Sequence, residues 1–503
     1  MNLSGRLKEL AGQSFVYGLG GLVSRAVGIV LLPVYIHHVS RAQFGAVELI
    51  MASITLATIV FNFGLLSAMF RFSFDHADPE YRARTVQTTF TAIMALATVA
   101  VLLGLIFLDP LSRVLGGREL TLIGLTGLWV SMNYNIMAGV YRIEQRPRAF
   151  VVYSLINVII TVLLTIVLVV PLGLQASGLM IGNFSGTYVA YAAMIVARRG
   201  TIGFRLFDRD LLRRMLHFSL PLMPAGLALW ALNVADRFQV KYLASPADLG
   251  SYSVASKIAL SVMLLIAAFQ TAWPAFANSM PTEDETKRVY QAVMTYWAIV
   301  MGWAVVAISM LTPTYVHVAL KPNVWDAIPV VPMLMFGSVL YGMYMIVNAG
   351  VNRSRRTHFT PVVTGIAAAV NVGLNFYFIP RWGIAGAGAT TVIGYVVLLY
   401  LGWRNAQHSY AINYEWRRVT VIGVVTAAFA TLSVEVVPAT GFGISLLRAA
   451  LTLAFPAVLV AVGVFNAAER RQMFAMAAGI RRRRAQETPA ELLADAAEEE
   501  PVA

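Results

Sequence analysis

The stretch NVADRFQVKYLA, Asn233 to Ala244, places Asp236, Arg237 and Lys241 at the end of a run that otherwise reads SLPLMPAGLALWAL. Asn233, Arg237 and Lys241 are four residues apart, so on a helix they form one polar stripe. On the next run Gly250, Ser253, Lys257 and Ser261 make a similar face. Arg25 falls at the middle of the first apolar run and shares a face with Ser14, Gly18, Gly21 and Gly28. An arginine at the centre of a bilayer costs at least about 2.5–3.5 kcal/mol, so such residues turn to a protein or water-filled interior. Lys241 can snorkel to the surface; Arg237, a turn deeper, cannot. Cations in this arrangement line a cleft that holds an anion. The alternative is an Asp236–Lys257 or Asp236–Arg237 ion pair that only fixes helix packing.

Other polar residues recur at helical spacing. Thr364, Asn371 and Asn375 share one face, and Tyr341, Tyr344 and Asn348 another. Either set could line a sugar path or bond one helix to the next. Gly64, Ser67 and Arg71 run to the inner end of the second span, where Arg71 is an entry contact or an ordinary topology residue. Glu48, near the outer end of that span, pairs with an outer-half cation, carries a coupling proton or, more simply, serves packing. His37 and His38 have no further ligand at metal spacing. The chain has no cysteine, no Gly-Lys dipeptide, no HExxH and no GxSxG. Thiolate chemistry, a phosphate-cradling loop and these hydrolase motifs are therefore excluded, and the chain is not expected to be an enzyme or to bind a cofactor or metal.

The elements that must position these residues are membrane helices. The 503 residues are 58% hydrophobic and only 13% charged. Apolar runs of about 18–25 residues, each able to cross a hydrocarbon core of about 30 Å, recur along nearly the whole chain. They predict an all-α polytopic membrane protein with fourteen spans, near 13–37, 44–70, 85–108, 120–141, 150–171, 176–197, 215–243, 249–275, 289–312, 327–348, 358–379, 384–403, 418–437 and 443–465. Lys and Arg concentrate in alternate loops, which places both termini in the cytoplasm and leaves Arg41, Arg113, Arg118, Lys241, Lys321, Arg381 and Arg448 outside. The net charge of +13 is mostly this topology signal, not a nucleic-acid surface. Clusters such as Arg198, Arg199, Arg205, Arg209, Arg213 and Arg214 meet anionic head groups. The tail, with Arg481 to Arg484 followed by ELLADAAEEEPVA, reads as disordered.

The sequence also repeats. SRAQFGAVELI, Ser40 to Ile50, aligns with SPADLGSYSVA, Ser245 to Ala255, and PLGLQASG from Pro171 aligns with PRWGIAGAG from Pro380. The repeat implies two six-helix lobes of the same orientation, 1–200 and 201–410, with a cleft between them. A terminal helix pair, 411–466, and a cytoplasmic tail, 467–503, follow.

SRAVGIVLLPVYIHHVSRAQFG, Ser24 to Gly45, and DRFQVKYLASPADLGSYSVASK, Asp236 to Lys257, resemble the paired signatures of the polysaccharide-transport branch of the multidrug/oligosaccharidyl-lipid/polysaccharide flippase superfamily. The resemblance implies two six-helix lobes and a terminal pair in a bacterial inner membrane. The implied activity is movement of undecaprenyl-pyrophosphate-linked oligosaccharides to the periplasmic leaflet for O-antigen, capsule or exopolysaccharide assembly, beside polymerase and chain-length machinery. It carries a pyrophosphate-binding role to Arg25, Arg237 and Lys257; helix geometry adds Lys241 and Arg71. Asn233, Asp236, Glu48, Tyr344, Asn348, Asn371 and Asn375 are candidates for the sugar path or for coupling. A proton or sodium ion could reset the empty carrier, and the sequence identifies neither. A lipid II flippase and a cation-coupled drug exporter are the alternatives.

Overall fold

The computed structural model describes residues 27–75, 78–200, 202–278, 282–354, 359–435, 441–466 and 469–471. Arg25, with Ser14, Gly18 and Gly21 on its face, and the tail beyond Arg471 lie outside the described residues. The described chain is all-helical. Its helices are α1 (Leu32–His38), α2 (Arg41–Asn62), α3 (Leu65–Phe72), α4 (Pro79–Ile106), α5 (Leu108–Leu115), α6 (Arg118–Ile143), α7 (Pro147–Val169) and α8 (Gln175–Arg198). The chain continues through α9 (Arg209–Ser219), α10 (Met223–Leu243), α11 (Pro246–Asn278), α12 (Glu283–Ala319), α13 (Val330–Arg353), α14 (Thr360–Ser409), α15 (Trp416–Glu435) and α16 (Phe442–Ala461).

Local chemistry sets the starts of these helices. Asp78, Asp208 and Thr282 accept backbone N–H bonds as N-caps, and Ser40 and Gln43 form a reciprocal capping box. Eleven helical segments of the described chain are long and apolar enough to cross a membrane, which makes this a multi-pass membrane protein. The difference from fourteen has local causes. The first expected span is described only from Val27, and the fourth, α6, is diluted by Arg118, Glu119, Asn133, Asn135 and Arg142. The eleventh and twelfth form α14, which folds back at Gly383 (φ 56°, ψ −136°), a conformation open to glycine. That reversal is why Thr390 reaches Asn375 and why Gly394 lies on Asn371.

Two further expectations change. The second span is broken at Phe63 and Gly64, both left-handed, so α3 leaves the line of α2. Arg448 is not in an outer loop: it is buried within α16 and its guanidinium donates to Thr314 Oγ1.

Packing brings α2 against α6, α10 and α11. The matched motifs meet each other there. Ser40 caps α2, and Ser245 Oγ accepts from Asp248 N at 3.0 Å at the start of α11. A Cβ on Gly250 would fall 2.2 Å from the Arg41 carbonyl oxygen, and one on Gly45 2.9 Å from Gly250 N. The obstacle is backbone, which cannot rotate away. Gly250→Ala is therefore expected to cost about 1–3 kcal/mol or more and lower the thermal midpoint of the purified protein. Gly226→Ala, whose new carbon would meet only Ile59 at 3.6 Å, should leave it unchanged.

Candidate functional site

The polar stripe of α10 is anchored by Asp236, 3% exposed and thus removed from water. A buried carboxylate needs partners. The Tyr252 hydroxyl on α11 donates to Asp236 Oδ2, and Arg237 Nη1 lies 3.6 Å from Oδ1. Arg237 also donates to the Asn233 carbonyl at 3.1 Å, one turn back. Its grip on Asp236 is beyond hydrogen-bond length, so the pair is held by charge. Asn233 is exposed, donates to Leu229 O at 2.7 Å, and accepts from the Tyr395 hydroxyl of α14. The Tyr395 ring lies 5.9 Å from Tyr341, which stacks 6.3 Å from Tyr344. The two tyrosines of α13 thus join the α10 stripe through one ring.

Lys257 does not take Asp236 as its carboxylate. Its Nζ lies 2.8 Å from Glu48 Oε1, tying α11 to α2. Both side chains are largely buried, at 26% and 12% exposure, so this pair is screened far less than a surface one. The Asp236–Lys257 pairing is not formed; the Asp236–Arg237 pairing is.

Gln239, one turn beyond Asp236, gives α10 a second contact with α14. Gln239 donates to Val372 O at 2.8 Å and accepts from Asn375 Nδ2 at 2.8 Å, while Thr390 Oγ1 donates to Asn375 Oδ1. Asn375 is thus consumed by helix-to-helix bonding. Asn371 is fully buried against Gly394 and Leu232, and both its amide atoms lack a hydrogen-bond partner. Thr364 bonds back to Thr360 O and Pro361 O. Asn348 is half-buried a turn beyond Tyr344.

Lys241 and Arg71 do not join the group. Lys241 Nζ donates to the Val114 carbonyl on α5 and lies 5.4 Å from the Tyr242 ring. Arg71 stacks 4.4 Å over the Phe218 ring of α9. Phe218 precedes Arg237 by nineteen residues, roughly 28 Å of helical rise. His37 and His38 bond back to Pro33 O and Val34 O, and the described residues hold no cluster of three metal ligands.

A cluster that the sequence left as loop charge lies near the two serine caps. Arg41 donates from Nε to Ala247 O at 3.1 Å, from Nη1 to Asn323 O, and from Nη2 to Asp326 Oδ2 at 2.9 Å and Asp248 Oδ1 at 3.4 Å. Ser251 Oγ completes the set, 2.6 Å from Asp326 Oδ1. Nearby, Lys321 Nζ donates to His37 O at 2.9 Å and Tyr315 to Ile29 O at 2.8 Å. One arginine from the start of α2 therefore clamps the start of α11 and the 3-10 turn Pro322–Ala327. The repeat held a signal for this: Asp248 aligns with the capping residue Gln43, yet carries a charge.

A family model described as "Polysaccharide biosynthesis protein" matches residues 10–280. An uncharacterized membrane protein of Methanocaldococcus jannaschii is 21% identical over 230 residues, 44% of this chain. The match spans only 45% of that relative's length. Among solved structures, the lipid II flippase MurJ in an inward closed conformation superposes with a TM-score of 0.69 at 13% identity, covering 89% of this chain and 98% of that one. An inward-facing multidrug resistance MATE family transporter of the MOP superfamily gives a TM-score of 0.57 at 19% identity, covering 83% and 94%. At these identities the likenesses show the fold.

Proposed function

The chain belongs to the polysaccharide biosynthesis protein family, and from that premise we propose that it moves a polyprenyl-pyrophosphate-linked oligosaccharide from the cytoplasmic to the periplasmic leaflet of a bacterial inner membrane. Its fold is that of MurJ and the MATE transporters, within the MOP flippase superfamily. The cargo feeds O-antigen, capsule or exopolysaccharide assembly, where polymerase and chain-length machinery take it up. Both termini are cytoplasmic. Transport makes and breaks no covalent bond.

The observation that carries this reading is how Arg237 and Lys257 are held where α2, α10 and α11 meet. Each rests on a carboxylate inside the membrane, Arg237 at 3.6 Å from Asp236 and Lys257 at 2.8 Å from Glu48. Removing one member of a buried pair costs about 3–5 kcal/mol, so neither cation is released into an apolar interior. A pyrophosphate diester, with about two negative charges, can exchange with those carboxylates, since Arg and Lys bind phosphate oxygens by charge-assisted bonds. Asp236 keeps its Tyr252 donor during the exchange. Glu48 gives up its Lys257 partner in the exchange. Asn233, Tyr341 and Asn348 offer hydrogen bonds to sugar hydroxyls, and the prenyl chain stays in lipid.

The Arg41 clamp holds the periplasmic end closed in this conformation, so the cargo enters from the cytoplasmic side. Outward movement of each negative charge gains up to about 2.3 kcal/mol per 100 mV of inside-negative potential. Deleting the gene should remove surface polysaccharide from intact cells and leave lipid-linked repeat units accumulated in the cytoplasmic leaflet. Lysis with accumulated peptidoglycan precursor would reassign the cargo to lipid II. Unchanged polysaccharide with no accumulation would reject the reading.

A further inference from the structure

A cavity of about 520 Å³ lies among α2, α4, α5 and α6, bounded by Ser53, Ala57, Phe61, Gly104 and Leu125 and closed on one side by Phe238 of α10. That volume is within the range of about 300–1,000 Å³ typical of sites for small organic ligands. Its chemistry is hydrocarbon. The two hydroxyls in the wall are already bonded to their own helices, Ser53 to Leu49 O at 2.8 Å and Thr121 to Gly117 O at 2.8 Å. Neither asks for a polar guest. Leu103 and Phe107, also in the wall, are 40% and 57% exposed within an apolar, outward-facing stretch from Leu102 to Phe107. The cavity therefore opens sideways to lipid.

Its lip is cationic. Val114 lines the cavity, and its carbonyl accepts from Lys241 Nζ. Among the described residues no carboxylate lies within 4.0 Å of Lys241 or of the exposed Arg113 beside Val114; Asp109 on the same short helix is taken by Arg118 at 3.8 Å. Arg237 stands one residue before Phe238, but its guanidinium turns to Asn233 O and Asp236, away from this space. An apolar chamber open to the bilayer with unmatched cations at its rim fits an amphiphile with an anionic head.

We propose that this cavity binds an anionic phospholipid, with one acyl chain filling it and the phosphate resting on Lys241 and Arg113. A phospholipid is favoured over the prenyl cargo because the cations assigned to the cargo, Arg237 and Lys257, are turned to their own carboxylates. The site stands apart from transport and does not depend on what the cargo is. Displacing the Lys241 ammonium from the Val114 carbonyl onto phosphate exchanges a neutral acceptor for a charged one, the stronger bond.

The test is photocrosslinking in nanodiscs of phosphatidylcholine, using the purified full-length protein and a phosphatidylglycerol probe with a diazirine on its acyl chain. Adducts are expected on peptides holding Ser53 to Phe61, Gly104 and Leu125. Lys241→Gln should lower their yield about fivefold, the effect of one lysine on anionic lipid, and leave the yield from a matched phosphatidylcholine probe unchanged. Ala57→Phe, which fills the chamber, should lower both. The proposal is overturned by equal phosphatidylglycerol yields in wild type and Lys241→Gln. It is overturned equally by adducts spread evenly over other lipid-facing residues such as Ile159 and Leu453, or by a polyprenyl phosphate probe that labels these peptides while phosphatidylglycerol does not.

Discussion

Arg237→Gln is expected to abolish polysaccharide export, and to lower protein abundance as well, because the buried Asp236 carboxylate keeps only its Tyr252 donor. Loss of one partner of a desolvated charge contact is worth about 2–5 kcal/mol, or roughly 30-fold to several thousand-fold in the bound cargo. The neighbour makes the result interpretable. Asp236→Ala alone leaves Arg237 without a counter-charge and the Tyr252 hydroxyl without its acceptor. This variant should be destabilised by about 3–5 kcal/mol and found at low abundance. The double variant Asp236→Asn, Arg237→Gln removes both charges and keeps side chains of similar shape, so its thermal midpoint should return towards wild type. If the pair served packing alone, export would return with it. Export should instead stay lost. The readouts are surface polysaccharide on a gel, protein abundance in membranes, and the thermal midpoint in detergent.

Arg41→Gln is expected to open the end of the bundle that Arg41 now clamps. The substitution removes the cation from Asp248 and Asp326 and weakens its hold on two backbone carbonyls. Hydrogen bonds involving a charged group contribute about 1.5–3 kcal/mol each, and even one such loss shifts a two-state equilibrium by a factor of about ten or more. The chain has no cysteine, so a single introduced thiol is an unambiguous reporter. Ser253 is fully buried on α11, two residues from the clamp residue Ser251. Ser253→Cys should react slowly with a membrane-impermeant thiol reagent, and at least tenfold faster when combined with Arg41→Gln. Equal rates would mean that the clamp does not hold this end shut.

Much of the architecture was legible because the hydropathy of a membrane helix is a property of consecutive residues. Each expected span has a helical segment, though the first is described only in part. The charged residues were legible for the same reason, since Arg237, Lys257 and Glu48 stand out in apolar runs. Their partners were not. Tyr252 is compositionally ordinary in its run, and only the packing of α10 on α11 shows that its hydroxyl serves Asp236. Glu48 and Lys257 are far apart in the chain, and nothing local favours that pairing over Asp236 with Lys257. The surroundings of Arg71 were not legible: the left-handed backbone at Phe63 and Gly64 turns α3 off the line of α2, and the guanidinium lies over Phe218 of α9. Asn375 followed the simpler of its two readings, as a helix-to-helix bond. Arg41 reads in sequence only as an outer basic residue, whereas its backbone lies on Gly250 and its side chain reaches the facing turn.

The central claim is that intramembrane cations recognise the diphosphate of the cargo. Its most direct measurement is leaflet crossing in liposomes holding the purified protein, with two fluorescent prenyl-linked oligosaccharides that differ only in the linkage, one a pyrophosphate and one an uncharged ether. The pyrophosphate compound should cross in wild-type vesicles and fail in vesicles with Arg237→Gln, and the ether should fail in both. Crossing of both compounds at similar rates, or crossing of the pyrophosphate compound undiminished by Arg237→Gln, would contradict it.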